Sequence, residues 1–215
     1  MTLPDLSTTD PVVTGSPDLD AVVATLVAAF RDDPVIEWAI PPTTLGRDYH
    51  LAAFFASTTE FLLEHGGIVA APKDYSAVLV WSLPGEPAVS DAENLAFLDR
   101  LAASTGACGP RVRALMEALD AHHPADLPPH CHVMFAAVRP EHRGTGVRAA
   151  LTDALRAMRL HDGVGVYAEA SSTRNLRLWE RLGGKRIGED IVLPDGGPSL
   201  YPIFFGRPPE PTETR

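Results

Sequence analysis

The run Val138-Arg139-Pro140-Glu141-His142-Arg143-Gly144-Thr145-Gly146-Val147 has the residue types of an anion cradle: a glycine-bearing loop between an apolar segment and an amphipathic helix. Upstream, Val133 to Val138 reads as a buried strand. Downstream, Val147, Leu151, Leu155 and Met158 recur at helical spacing, with Thr152, Arg156 and Arg159 on the opposite side. The first N–H groups of a helix lack intrahelical partners and carry the positive end of its dipole, and glycine removes the Cβ that would hold an anion off. A phosphate or diphosphate lying over the amides of Arg143, Gly144, Thr145, Gly146 and Val147 is the chemistry this spacing offers. The plain alternative is a strand-to-helix turn that needs its glycines only for a positive φ.

The words around the loop add to this reading. Pro140, Arg143, Gly144, Gly146 and Ala149-Ala150-Leu151 resemble the acyl-CoA loop of the GNAT acetyltransferase superfamily. The block from Glu169 to Gly183 is similar to that family's strand, loop and pantetheine-side helix. The resemblance extends to Ala28–Pro34, Ala77–Trp81 and Leu193–Pro198, and within the superfamily it looks closest to the puromycin N-acetyltransferase-like branch. It implies an α+β GNAT acyltransferase fold, with a mixed, mostly antiparallel central sheet of about seven strands flanked by helices. It implies acetyl-CoA as acyl donor, and a strand that splays from its neighbour so that backbone groups of Ala136 and Val138 pair with the pantetheine arm while Asn175 holds the arm from the other side. Helix N-capping is the other reading of Asn175.

The chain departs from the family pattern at two places. Arg148 stands where the loop usually ends on a small residue; its guanidinium can fold onto the diphosphate, obstruct the approach, or point to solvent. Trp179, one helical turn after Asn175, stands where many relatives carry the tyrosine that protonates the leaving thiolate. Indole donates a hydrogen bond but has no useful acidity. A thiol pKa of roughly 8.5 lets a thiolate leave unaided, and general acid catalysis is worth about 10²- to 10⁴-fold. Tyr167 and Tyr201 are replacement acids, with interior packing as their alternative role.

An alkylammonium, with a pKa near 10, must lose a proton before its nitrogen can attack. Glu169 at a strand end and His132 on the thioester strand are the candidate bases, and the N–H of Val138 is the candidate donor to the developing oxyanion. Asp33, Glu37, Trp38 and Trp81 are candidate walls for the acceptor; the two carboxylates also suit turn and cap positions beside Pro34. His122, His123, His130 and His132 crowd together in sequence. They span a proline-rich stretch with no accompanying carboxylate or thiol pattern, so surface histidines are the reading and no metal is expected.

These groups need elements to position them. Val12-Val13 predicts a first strand, Ser16-Pro17-Asp18 starts a helix running to about Arg31, Pro34 opens a short helix or turn, and Arg47 to His65 forms a long helix buried along Leu51, Phe54, Phe55, Phe61 and Leu62. Strands are predicted at Ile68–Ala71, Ala77–Ser82, His130–Val138, Val164–Ala170, Lys185–Leu193 and Ser199–Phe205, with two helical pieces between Ser90 and Ala121 and helices at Gly144–Leu160 and Arg174–Leu182.

Composition bounds the remainder. At 215 residues, 45% hydrophobic and 21% charged, the chain suits a single domain over residues 1–207 with a loose proline-rich tail at 208–215. A formal charge of −10 argues against a nucleic-acid partner and suits a cationic small molecule, although acidic chains are also acidic for solubility alone. Two cysteines support neither a disulfide framework nor a thiolate zinc site, so a reducing cytoplasm is the default. The apolar run Ala21 to Phe30 is half of the roughly 20 residues that span a bilayer, so no membrane partner is expected.

The expectation is therefore an N-acetyltransferase that moves acetyl from acetyl-CoA to a small-molecule amine by direct attack in a ternary complex, in the setting of specialised metabolism, with a homodimer admissible. Two alternatives stand beside it: a CoA-binding sensor or partner module with weakened or lost catalysis, and a GNAT-fold enzyme using a non-acetyl thioester or another reaction.

Overall fold

A computed structural model describes residues 11–84, 89–144, 153 and 164–206. In chain order the elements are β1 (Val12–Thr14), α1 (Leu19–Phe30), α2 (Pro34–Ala39), α3 (Arg47–Glu64), β2 (Ile68–Ala71), β3 (Ala77–Ser82), α4 (Asp91–Ser104), α5 (Gly109–Ala121), β4 (His130–Val138), β5 (Gly165–Ala170), α6 (Thr173–Arg181), β6 (Lys185–Arg186), β7 (Ile191–Val192) and β8 (Ser199–Phe205). Of the predicted loop helix at 144–160 all but residues 144 and 153 lie outside the described residues, as does the tail at 208–215.

Local chemistry sets the helix starts. Asp18 accepts from the Ala21 amide at 3.1 Å, Asp33 accepts from Val35 at 3.0 Å with Pro34 opening α2, and Ser90 and Glu93 form a reciprocal capping box. Arg47 ties the first three helices together, donating to Ile40 O at 2.9 Å and Arg31 O at 2.7 Å.

The eight strands form a sheet in the order β1-β2-β3-β4-β5-β8-β6, with β7 paired to β8. Every pairing is antiparallel except β4 with β5, which is parallel. This is the predicted mixed, mostly antiparallel α+β architecture. The segment Lys185–Leu193, expected as one strand, is two short ones, because the chain turns between them through Gly188 at φ +59 before Ile191 pairs with Leu200.

The sheet has a core on each face. Helices α1 to α5 cover one, with Val22, Leu26, Leu51, Phe54, Phe55, Leu101 and Val112 packed on Val78, Val80, Phe135 and Ala137. On the other face, α6 packs through Leu176 and Trp179 against Leu79, Trp81, Val133, Ala168, Ile203 and Phe205. Each large side chain so buried contributes roughly 1.5–3 kcal/mol relative to exposure.

Strand β4 belongs to both faces by way of an irregularity. Val80 pairs with Phe135 but Trp81 with Val133, so Met134 is an extra residue, a β-bulge. Alternation shifts phase there. His132 before the bulge and Phe135 and Ala137 after it share the helix-covered face, while Cys131, Val133, Ala136 and Val138 share the other.

Candidate active site where two parallel strands part

Beyond the bulge, β4 and β5 separate. Their pairing runs from His130 with Gly165 to Val133 with Ala168 and stops, although β4 continues to Val138. The Arg139 amide donates to Ser76 O at 3.0 Å on the β3 side, so by alternation the peptide groups of Ala136 and Val138 turn to the open side. An unpaired strand edge is the backbone complement of an extended amide chain.

The gap is a small cavity of about 90 Å³, the space of about three waters. Phe30, Phe54, Met116 and Leu200 wall its apolar side, and Asp33, Glu169, Ser171 and Asn175 converge on it. Trp179 lines it too, held edge-on against Phe205 with ring centroids 5.7 Å apart.

Register explains one polar group. His132 pairs with Tyr167 across the parallel ladder, so His132, Tyr167 and Glu169 project from the same face. His132 Nε2–H donates to Glu169 Oε2 at 3.0 Å; the Glu169 side chain is 5% exposed and that of His132 21%. Glu169 Oε1 and the Tyr167 hydroxyl are buried without a hydrogen-bond partner among the described residues. Burial alone would lower the His132 pKa, but the charge and hydrogen bond of Glu169 outweigh it and hold the imidazole above its ordinary value. Burial and then the Glu169 charge raise the Tyr167 phenol, so it is no acid at neutral pH. His123, desolvated and beside His132 and His130, is lowered to about 4.

The second polar group crosses from α2 to α6. Asn175 Nδ2 donates to Ser171 Oγ at 3.0 Å, and the Ser171 hydroxyl donates in turn to Asp33. Burial raises the Asp33 pKa, against the opposing hydrogen bonds from Ser171, Val35 and Ile36. Asp33 is thus both the cap of α2 and part of the cavity wall. Asn175 is not the cap of α6; Ser172 is, accepting from the Asn175 amide at 3.2 Å, which leaves the Asn175 side chain for the cavity.

Other expected site residues are placed elsewhere. Tyr201 pairs with Ala170, on the opposite sheet face from Glu169, with the Arg186 guanidinium 5.7 Å from its ring centre. Trp81 is buried in the core of that same face. Trp38 packs against the helix-side core with Arg111 over its ring at 5.9 Å, and Glu37 is likewise outside the cavity lining. None of these four lines the cavity; strand alternation points Tyr201 and Trp81 into the opposite core, and helix phase packs Trp38 on the helix-side core.

The loop expected to form an anion cradle is described as far as Gly144. The Arg143 amide donates to Pro140 O at 3.2 Å and its guanidinium to Ala29 O at 3.0 Å, capping the end of α1. The expectation of a free Arg143 amide is therefore corrected: a local turn consumes it. Gly144 follows at φ +91, a conformation that favours glycine, with open space where a Cβ would stand. Thr145, Gly146, Val147 and Arg148 lie outside the described residues.

Ser171 was not singled out by sequence. Its only signal was its place in the run Ser171-Ser172-Thr173 at a strand end, where one serine had to cap the helix and its neighbour was left over.

No family model matches this chain. Solved structures do. A protein described as histone acetyltransferase HPA2 and related acetyltransferase, from Corynebacterium glutamicum, is 26% identical with a TM-score of 0.60, covering 94% of this chain and 99% of that one. Arylalkylamine N-acetyltransferase 2 from Aedes aegypti gives a TM-score of 0.61 at 14% identity over 91% and 98%. A Drosophila melanogaster polyamine N-acetyltransferase gives 0.57 at 17% over 92% and 100%. The chain has the fold of the GNAT N-acetyltransferases. Among the described residues no helix is long and apolar enough to cross a membrane.

Proposed function

We propose that the protein is an acyl-CoA-dependent N-acyltransferase that moves acetyl from acetyl-CoA to the amine of a small molecule by direct attack in a ternary complex. The observation that carries this is the parting of β4 and β5, which sets an unpaired strand edge beside a buried carboxylate held by a histidine. The neighbours' names, which specify arylalkylamine and polyamine acetylation, support an amine acceptor. The assignment to the puromycin N-acetyltransferase-like branch rests on the sequence blocks alone.

Each described residue has a part. Peptide groups of Ala136 and Val138 pair with the amide arm of the donor, and the Val138 N–H is the donor to charge developing on the thioester oxygen. Asn175 steadies the arm from α6. Glu169 takes the proton of the incoming ammonium on its unpartnered Oε1, while His132 fixes Oε2 and so orients the carboxylate. Asp33, a second carboxylate on the wall, attracts the cationic acceptor. Gly144 and the loop beyond it receive the donor's diphosphate. Free-thiol release from acetyl-CoA in the presence of a panel of primary amines tests the reading; CoA binding with no turnover on any amine refutes it.

One observation favours a second reading, a CoA-binding module with weakened or lost catalysis. Among the described residues that line the cavity, the Trp179 indole N–H is the only aromatic heteroatom, and Tyr167 is buried away from it. Restoring an acid with Trp179→Tyr separates the two, since only an enzyme can gain turnover from it.

A further inference from the structure

We propose that His123, His132 and Glu169 together bind a divalent transition-metal ion of the zinc type, and that the filled site stops acyl transfer. The proposal's inhibitory half rests on the function proposed above; the binding half does not.

The three residues come from three elements, and one ligating atom of each lies within 4.8 Å of the others. Zinc holds imidazole nitrogen and carboxylate oxygen at about 2.0–2.2 Å in a tetrahedron, which sets ligand atoms roughly 3.3 Å apart. His132 Nε2 and Glu169 Oε2, 3.0 Å apart, already span one such edge. His123, on the loop after α5, brings its ligating atom within 4.8 Å of both.

Two further observations point to a ligand. Glu169, 5% exposed, keeps Oε1 buried with no hydrogen-bond partner among the described residues, so its carboxylate has unused donor capacity toward a cation. The surrounding histidines also have the hydrogen bonds of a metal site's outer layer. His130 Nδ1–H donates to Pro128 O at 2.8 Å, which leaves its Nε2 as an acceptor 3.1 Å from His123 Nε2. His123 therefore donates through Nε2 and carries its lone pair on Nδ1, a tautomer fixed from behind as in metal-ligating imidazoles.

Access comes from the side away from the acyl cavity. An open basin of about 660 Å³, bordered by Ser82, Pro84, Leu127 and the three histidines 123, 130 and 132, reaches this cluster. Glu169 lines the acyl cavity and His132 lines the basin, so the pair is a partition between two spaces. An ion entering from the basin takes the Oε2 lone pair that now accepts from His132, displaces the proton between them to solvent, and by its charge lowers the basicity of Oε1, the oxygen that the transfer needs as its base. Two imidazoles and one carboxylate select zinc, cobalt or nickel over magnesium or calcium.

The test uses the tag-free full chain, stripped with EDTA and desalted. Titration with Co²⁺, read by its visible ligand-field absorption, and with Zn²⁺, read by calorimetry, is expected to give one ion per chain. Stoichiometric Zn²⁺ is expected to lower acetyl transfer at least tenfold, with recovery on adding EDTA. His123→Asn and Glu169→Gln are each expected to weaken Zn²⁺ binding at least about tenfold. His123→Asn is further expected to hold metal-free transfer within about twofold of wild type and to escape zinc inhibition. Absence of stoichiometric binding to the wild-type chain overturns the proposal whatever the variants do, and so does a folded His123→Asn protein that binds Zn²⁺ as tightly as wild type. Transfer that continues with the ion bound overturns the inhibitory half. Zinc bound at these ligands in a protein that acetylates no amine upholds the site and removes only the function proposed earlier.

Discussion

Strand β4 is paired to β5 from His130 to Val133, with β3 on its other side at His132 and Val133; from Phe135 to Val138 it keeps only β3. The first half carries an imidazole hydrogen-bonded to a buried carboxylate, and the second half carries an open backbone edge. A single extra residue, Met134, lies between them. It shifts the alternation so that His132, Phe135 and Ala137 all face the helices, and the second half is pinned by its side chains where it has lost a neighbouring strand. Phe135 alone meets the rings of Phe30, Phe54 and Phe55 at 6.0, 6.2 and 5.3 Å. The contrast teaches that packing can hold a strand in place while its hydrogen-bonding edge stays free for a ligand.

The largest way to break that contrast acts on the paired half. Glu169→Gln keeps the shape and removes the proton acceptor, and amine acetylation followed by thiol release is expected to fall about 10²- to 10⁴-fold in kcat. A loss shared equally by a substrate whose amine is already neutral would contradict the role of Glu169 as base.

Next comes the packed half. Phe135→Ala is expected to cost about 3–5 kcal/mol in a denaturant titration, because the cavity it leaves is walled by three other rings. A cost below about 1 kcal/mol would show that the open half is held by something other than this cluster.

A smaller effect is expected at the cavity wall opposite. Trp179→Tyr places an acidic hydroxyl where the indole now rests on Phe205, and an increase in turnover of about tenfold or more identifies a weakened enzyme. Unchanged turnover means that the thiolate departs without this acid.

The smallest expected effect concerns Asp33, whose pKa burial raises. Folding prefers its protonated form, so its contribution to stability is greatest below the ordinary carboxylate pKa and is lost as pH rises through the folded value. Asp33→Asn retains a good helix cap and has no charge to bury. Melting temperatures measured from pH 3 to pH 7 are expected to move in the variant's favour by about 2–4 °C, the equivalent of roughly 1 kcal/mol in a domain of this size. A difference independent of pH would deny that the carboxylate is desolvated.

Much of the scaffold was legible because its signals are local. Leu51, Phe54 and Phe55 recur at helical spacing and are buried in α3; Asp33-Pro34 announces α2; the apolar runs at 68–71 and 77–82 are strands with the predicted ends. The turn that divides Lys185–Leu193 has its own local signal in Gly188. The site was legible only in part. Asp33, Asn175, Trp179, Ala136 and Glu169 line the cavity, whereas Tyr201, Trp38 and Trp81 had the right residue types but the wrong faces. No spacing rule reveals the bulge at Met134, because His130 to Val138 reads as an uninterrupted apolar strand whatever its partner's register.

The sequence by itself determined the described helices and most of the strands, since caps, periodicity and backbone freedom act within a few residues. Only the tertiary structure decided that β5 would leave β4 after Val133, that Ser171 would reach Asp33 across 138 positions, and that a carboxylate would arrive beside the histidines at 123, 130 and 132. Those outcomes depend on which strand edges pair and which faces are buried, and such choices are made by the packing of segments far apart along the chain.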